Sequence, residues 1–287
     1  MHLLLSLFVL AVAVSIRYSW HPCQDSGSQD GWSKRWVGAM IAFTLPPLFL
    51  VMTAIAVLCM GPRGQMMGLP TDPLSYGAVL GFLLIALSIP LKQALAGGKS
   101  LETIQSYPRV QLAPPAPSAH LLESEGLFCA QVGFWQPQLV VSQGLLNTLD
   151  AEHLNAVLRH EQAHIYYRDT FWFFWLGCLR HLTPWLPKTQ ALWEELLLLR
   201  ELRADRWATQ SVDGLLLAES LLMVVSAPLL TPASITAPIQ RPILRDRLQE
   251  RIEALLHDPQ PPYHLPWWAW SWLIAAFLPL LVIPFHC

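Results

Sequence analysis

Residues 37–60 form a run of 24 positions without one charged side chain. About 20 apolar residues match the ~30 Å hydrocarbon core of a bilayer. Inside that core every backbone N–H and C=O must be satisfied within the segment, which leaves a helix as the fold of such a run. The rest of the chain therefore has to be arranged around a membrane. Two further runs qualify: 75–91, uncharged until Lys92, and 266–285, which opens on Trp267, Trp268, Trp270 and Trp272, an interfacial aromatic cluster. A shorter run, 2–16, reaches spanning length if its flank through Tyr18 and Trp20 is included. Composition agrees, with 53% hydrophobic and 13% charged residues against about 25% charged in ordinary soluble domains. The expectation is a mostly α, multi-pass protein with about four transmembrane helices: three within residues 1–96 (about 2–20, 37–60 and 75–96) and one at 266–287.

Charge placement orients the chain. The 17–36 loop carries Arg17, Lys34 and Arg35, whereas the 61–74 loop carries only Arg63. Lys92, Lys99 and most remaining basic residues precede Tyr263. The positive-inside rule places the 17–36 loop and the large 97–265 segment in the cytoplasm of a cell-membrane protein. Ala11-Val12-Ala13 resembles a signal-peptide cleavage site, but the preceding residues hold no Lys or Arg, which favours a retained anchor.

The 97–265 segment contains the chemistry. Residues 160–164 read H-E-Q-A-H, and 200–205 read R-E-L-R-A-D. On a helix, His160 and His164 share one face a turn apart and can grip a single Zn²⁺. Glu161 stands beside them, placed to take a proton from the attacking water. Glu201 is a credible third ligand. Asp205, four residues on, lies on the same face and can hydrogen-bond a ligand imidazole. The local context supports a helix here. Asp150 suits an N-cap and Glu152 a first turn, and residues 151–167 contain no Pro or Gly. A second helix is expected over about 188–211. The bland alternatives are a chance motif in a polar helix and, for Asp205, a surface ion pair with an arginine.

The runs Q-P-Q-L-V-V-S-Q-G-L-L (136–146), D-A-E-H-L-N-A-V-L-R-H-E-Q-A-H-I-Y-Y-R-D (150–169) and R-E-L-R-A-D-R-W-A (200–208) resemble the membrane-embedded gluzincins. These are the BlaR/MecR antirepressor peptidases and the related HtpX and CAAX-endoprotease type, and the resemblance covers roughly residues 100–255. It implies a cytoplasmic α+β zincin-like metalloprotease domain between helices three and four. It also implies His160, His164 and Glu201 as zinc ligands, Glu161 as general base, and Arg168-Asp169 as structural support. The arrangement of spans favours the antirepressor branch, with a protein substrate such as a transcriptional repressor. An HtpX-like quality-control protease and a non-catalytic membrane scaffold that keeps the zinc fold are the alternatives.

Other features constrain less. Residues 171–178 are apolar but too short to span. Glu201 must reach the zinc of His160, so no single crossing intervenes. An interfacial or re-entrant helix is expected there, with Trp172, Trp175 and Trp185 near the headgroups. The run 214–230, which contains Glu219, reads as a buried domain helix, and 240–257 as a solvated one. Residues 127–132 and 138–141 suit a small sheet; by resemblance the first is the edge along which an extended substrate lies. His181 is a candidate oxyanion stabiliser. The five cysteines show no C-x-x-C spacing, and with net charge −2 and no basic patch no nucleic-acid partner is expected.

Overall fold

The computed structural model describes residues 2–21, 29–61, 65–66, 69–70, 73–112, 118–226, 247–256 and 267–285. Among the described residues, three helices are long and apolar enough to cross a membrane: α1 (His2–Ser19), α2 (Gln29–Met60) and α3 (Pro73–Gln105). Of these α2 is central, with 61% of its most apolar stretch buried against 6% for α3. Leu80, Leu84, Leu87 and Leu91 of α3 are left facing outward, as lipid contact requires. Pro46 and Pro47 lie inside α2, where each removes a backbone donor. The helix ends at Gly61, whose φ of 83° is the left-handed C-terminal conformation that glycine adopts at no steric cost.

The fourth apolar stretch differs from the expected helix. Residues Trp267–Phe285 wind as a 3-10 helix with Pro279 and Pro284 inside it. Each proline deletes a donor that an α-helix would use. At ~2 Å per residue the tighter winding gives a length of roughly 38 Å. It packs along α2. Leu280, Val282 and Ile283 join Ala56, Val57 and Met60 of α2 and Leu5 of α1 in one apolar cluster.

Beyond α3 the chain forms a four-stranded mixed sheet, β3 (Arg109–Gln111), β4 (Ser118–Leu122), β5 (Cys129–Val132) and β6 (Gln138–Ser142). Two short strands, β1 (Gln65–Met66) and β2 (Leu69–Pro70), pair between α2 and α3. The larger sheet runs β3-β4-β6-β5, which leaves β5 at an edge as expected. Helices α4 (Gln143–Thr148), α5 (Ala151–Tyr166), α6 (Asp169–Leu182), α7 (Thr189–Ala208), α8 (Gly214–Ser226) and α9 (Leu248–Leu255) follow. Asp150 caps α5 by accepting from the N–H groups of Glu152 and His153. Gly144 in α4 must lack a side chain, because a Cβ there would lie 2.1 Å from the Glu125 carbonyl oxygen.

Helix α8 is a domain helix: Leu217, Ala218 and Leu221 share a core with Ala156 of α5, Ala208 of α7 and Leu255 of α9. The rest of the expected 214–230 helix lies outside the described residues. Helix α6 buries Phe173, Leu176 and Cys178 and turns Trp172 and Trp175 outward. Trp172 stacks on Trp270 of the C-terminal helix at 6.0 Å. On the five-residue β5–β6 turn, Trp135 is 71% exposed, and Phe134 packs on Phe171 and Phe174 of α6. An exposed aromatic surface thus runs from the edge strand to the membrane helices.

The candidate membrane helix α2 and the domain that follows α3 share the largest core among the described residues. Trp32, Trp36, Met40 and Phe43 of α2 pack against Phe173 and Leu176 of α6 and against Leu192–Leu202 of α7. The Trp32 indole N–H donates to the Leu199 carbonyl at 3.2 Å. Lys188, left-handed at the entry to α7, donates to the carbonyls of Tyr18, in the last turn of α1, and Trp20, the first residue past it. That is a favourable place for a cation at a helix C-terminus.

Candidate metal centre

Helix α5 has buried its motif face: His160, Glu161 and His164 are all 9% exposed or less. Their donor atoms lie within 4.8 Å of one another. The two Nε2 atoms stand 3.2 Å apart. Two nitrogens held ~2.0–2.1 Å from one tetrahedral zinc would be separated by roughly 3.3 Å. Helix α7 adds Glu201, whose Oε2 is 3.2 Å from His160 Nε2 and whose Oε1 is 3.8 Å from His164 Nε2.

The opposite edges of both rings meet buried carboxylates. His164 Nδ1 donates to Asp169 Oδ2 at 2.7 Å, and His160 Nδ1 faces Asp205 Oδ1 at 2.8 Å. A carboxylate accepts and cannot donate, so each Nδ1 carries hydrogen and each neutral ring turns a lone pair inward. With both rings neutral, two lone pairs and the Glu201 carboxylate converge with no hydrogen-bond donor among them, a set that fits a metal cation; without the metal, a proton on His160 Nε2 takes that place against Glu201. Carboxylate–histidine–zinc arrangements have this form.

Charge around the cluster is organised. Burial opposes ionisation of Glu201, but Arg200, His164, His160 and Arg251 outweigh it and hold the carboxyl well below its usual range. Asp169 and Asp205 are likewise buried, yet the His164 bond and Arg203 lower the first and Arg251 and His160 lower the second. Burial disfavours the charged form of His160, while Asp205 and Glu201 push its pKa up to about 9. Glu161 goes the other way, raised chiefly by burial. Burial and the charge of Glu161 also push the Cys129 thiol well above its ordinary value, which places the start of edge strand β5 beside the motif helix.

Of the sequence-derived candidates, His160, Glu161, His164, Glu201 and Asp205 are brought together. His181 is not: it is exposed in the last turn of α6, about 18 Å of helix beyond Asp169 at 1.5 Å per residue. The arginine alternative for Asp205 also holds, but as a buried pair, with Arg251 bonded to both carboxylate oxygens at 2.7 Å. Arg251 is 3% exposed: the expected helix keeps a solvated face at Gln249 and Glu253 but turns Arg251 into the site, and its residues 240–246 and 257 lie outside the described residues. Asp169, expected only as structural support, directly holds a motif histidine. Its signal was the turn after α5, where Arg168 takes a left-handed φ of 53° and starts α6 back toward His164.

Residues 113–234 match the family model described as Peptidase family M48. The match spans the motif helix and Glu201 and follows the N-terminal apolar helices. No curated protein and no solved structure matches the chain.

Proposed function

We propose that this chain is a membrane-bound zinc metalloendopeptidase that hydrolyses peptide bonds of protein substrates at the cytoplasmic face. The observation that carries the reading is the convergence of His160 Nε2, His164 Nε2 and Glu201 on one point beside Glu161, inside a segment matching a metallopeptidase family. When bound there, zinc would polarise the scissile carbonyl and bring the pKa of the attacking water toward neutrality. Glu161 takes the proton from that water and returns it to the departing amine. Asp169 and Asp205 hold the imidazole rings in the tautomer that keeps Nε2 free. The open edge of β5 offers backbone donors and acceptors to a substrate in extended form.

The cytoplasmic assignment draws on two features. Arg35, expected in the 17–36 loop but carried by the first turns of α2, pairs with Glu195 of α7 and Glu250 of α9, so that basic end of α2 lies on the same side as the domain, which the positive-inside rule makes cytoplasmic. Regulated proteolysis of the antirepressor kind, acting on a cytoplasmic repressor, is the favoured role, with the C-terminal 3-10 helix as a fourth crossing. A second reading, proteolysis of membrane-protein segments, is favoured by the aromatic surface beside β5.

The full chain purified in detergent is expected to carry one zinc, to lose cleavage of an unfolded protein substrate on chelation, and to regain it with added zinc. Cleavage that persists after the metal is stripped would refute the assignment. Metal uptake should also be proton-linked. With its pKa at about 9, metal-free His160 is protonated at pH 7.5, and the metal displaces that proton. Apparent zinc affinity should rise about tenfold per pH unit up to about pH 9 and then level off. Calorimetry in buffers of different ionisation heat should find about one proton released per zinc at pH 7.5; no release would contradict the site chemistry.

A further inference from the structure

Two neighbouring residues of α2 each begin a chain of contacts that ends on a different motif histidine. The Trp36 ring lies 4.8 Å from the Arg203 guanidinium carbon, with the Tyr167 ring 4.0 Å away from the same group. Arg203 donates to Asp169 Oδ1, whose other oxygen holds His164 Nδ1. Beside Trp36, Arg35 donates to Glu195 at 2.8 Å and to Glu250 at 2.7 Å. The residue after Glu250 is Arg251, which grips both oxygens of Asp205 and stands 3.4 Å from Glu201. Asp205 faces His160. Arg35, Trp36, Asp169, Asp205 and Arg251 are all buried.

Stability gives no sufficient reason for this arrangement. A buried ion pair recovers its desolvation cost only with excellent geometry, and apolar residues of similar volume often do as well or better. What such pairs provide is fixed direction, because a guanidinium bonded on two edges admits few orientations.

We propose that Arg203 and Arg251 are positioning residues for His164 and His160, and that α2 sets their positions through Trp36 and Arg35. The inference rests on the metal-site reading above. A displacement of α2 against α7 then moves the supports of both imidazoles together, so the metal geometry reports on the seating of a membrane helix.

The test uses the full chain in detergent and reads zinc affinity by chelator competition, the visible spectrum of the Co²⁺-loaded protein, and the melting temperature of the metal-free protein. Trp36→Leu removes the ring face but keeps apolar volume; it should weaken zinc binding about tenfold, the low end for loss of a direct support, and shift the Co²⁺ bands. Trp36→Phe should restore both. Phe43→Leu, in the same core but outside the two contact chains, should lower the melting temperature with affinity and spectrum unchanged. In an Arg203→Lys background, Trp36→Leu should add less than twofold, since its route is already broken. Wild-type affinity and spectrum in Trp36→Leu would overturn the proposal, as would equal changes in Phe43→Leu or full additivity with Arg203→Lys. A wild-type chain that takes up neither Zn²⁺ nor Co²⁺ would overturn the metal-site reading itself before any variant is compared.

Discussion

Glu161→Gln should retain one zinc per chain and lose cleavage by about a thousandfold, within the ~10²–10⁴ range for a positioned general base. The amide has the shape of the carboxylate and accepts no proton. Glu161 lies within 4.8 Å of the histidine donors yet bonds neither ring in the structure, so its replacement leaves the His160–Asp205 and His164–Asp169 contacts standing. Zinc content and cleavage measured on the same preparations decide the matter. A variant that binds zinc and still cuts at the wild-type rate would remove Glu161 from the chemistry. Loss of the zinc would instead make it part of the binding set.

Glu201→Ala should cost the metal itself. The carboxylate is 4% exposed and sits among Arg200 at 2.6 Å, Arg251 at 3.4 Å and the two Nε2 atoms. Deleting it removes a donor and also leaves two arginines facing the cluster without their counter-charge, in surroundings where an unpaired charge is costly. Zinc affinity should fall by about a thousandfold, beyond the 10–100-fold loss typical of an outer support. Glu201→Gln, which keeps the volume but not the charge, should fall between. Chelator competition would show it, and an alanine variant of wild-type affinity would leave the two histidines and Glu161 as the ligand set.

Much of this site was readable from spacing because its parts are local. A four-residue interval on a helix puts His160 over His164 and Glu201 over Asp205, and Asp150 announces the start of α5 whatever the tertiary context. Residues whose role depends on a distant partner left no such trace. Arg251 acts 46 positions from Asp205, and the alternating charges around it read as an ordinary solvated helix. Asp169 stood in view, but its orientation depends on a left-handed turn at Arg168 that residue type does not dictate. The C-terminal helix was recognised by its apolarity, while its tight winding, with two prolines inside, was not a property of hydropathy. His181 shows the converse: a residue type suited to catalysis, carried by the length of α6 away from the reaction centre.

The core shared by α2 and α7 bears on the order in which the metal centre forms. Trp32 and Trp36 pack against the Leu192–Leu202 stretch, on the helix that also carries Glu201 and Asp205. Packing of α2 against α7 is therefore expected to precede assembly of the ligand set. A fragment that begins beyond α3 would lose the packing surface that supports the ligand-bearing helix. If the proposed proteolysis holds, activity is confined to chains whose anchor is in place, with no separate inhibitor required.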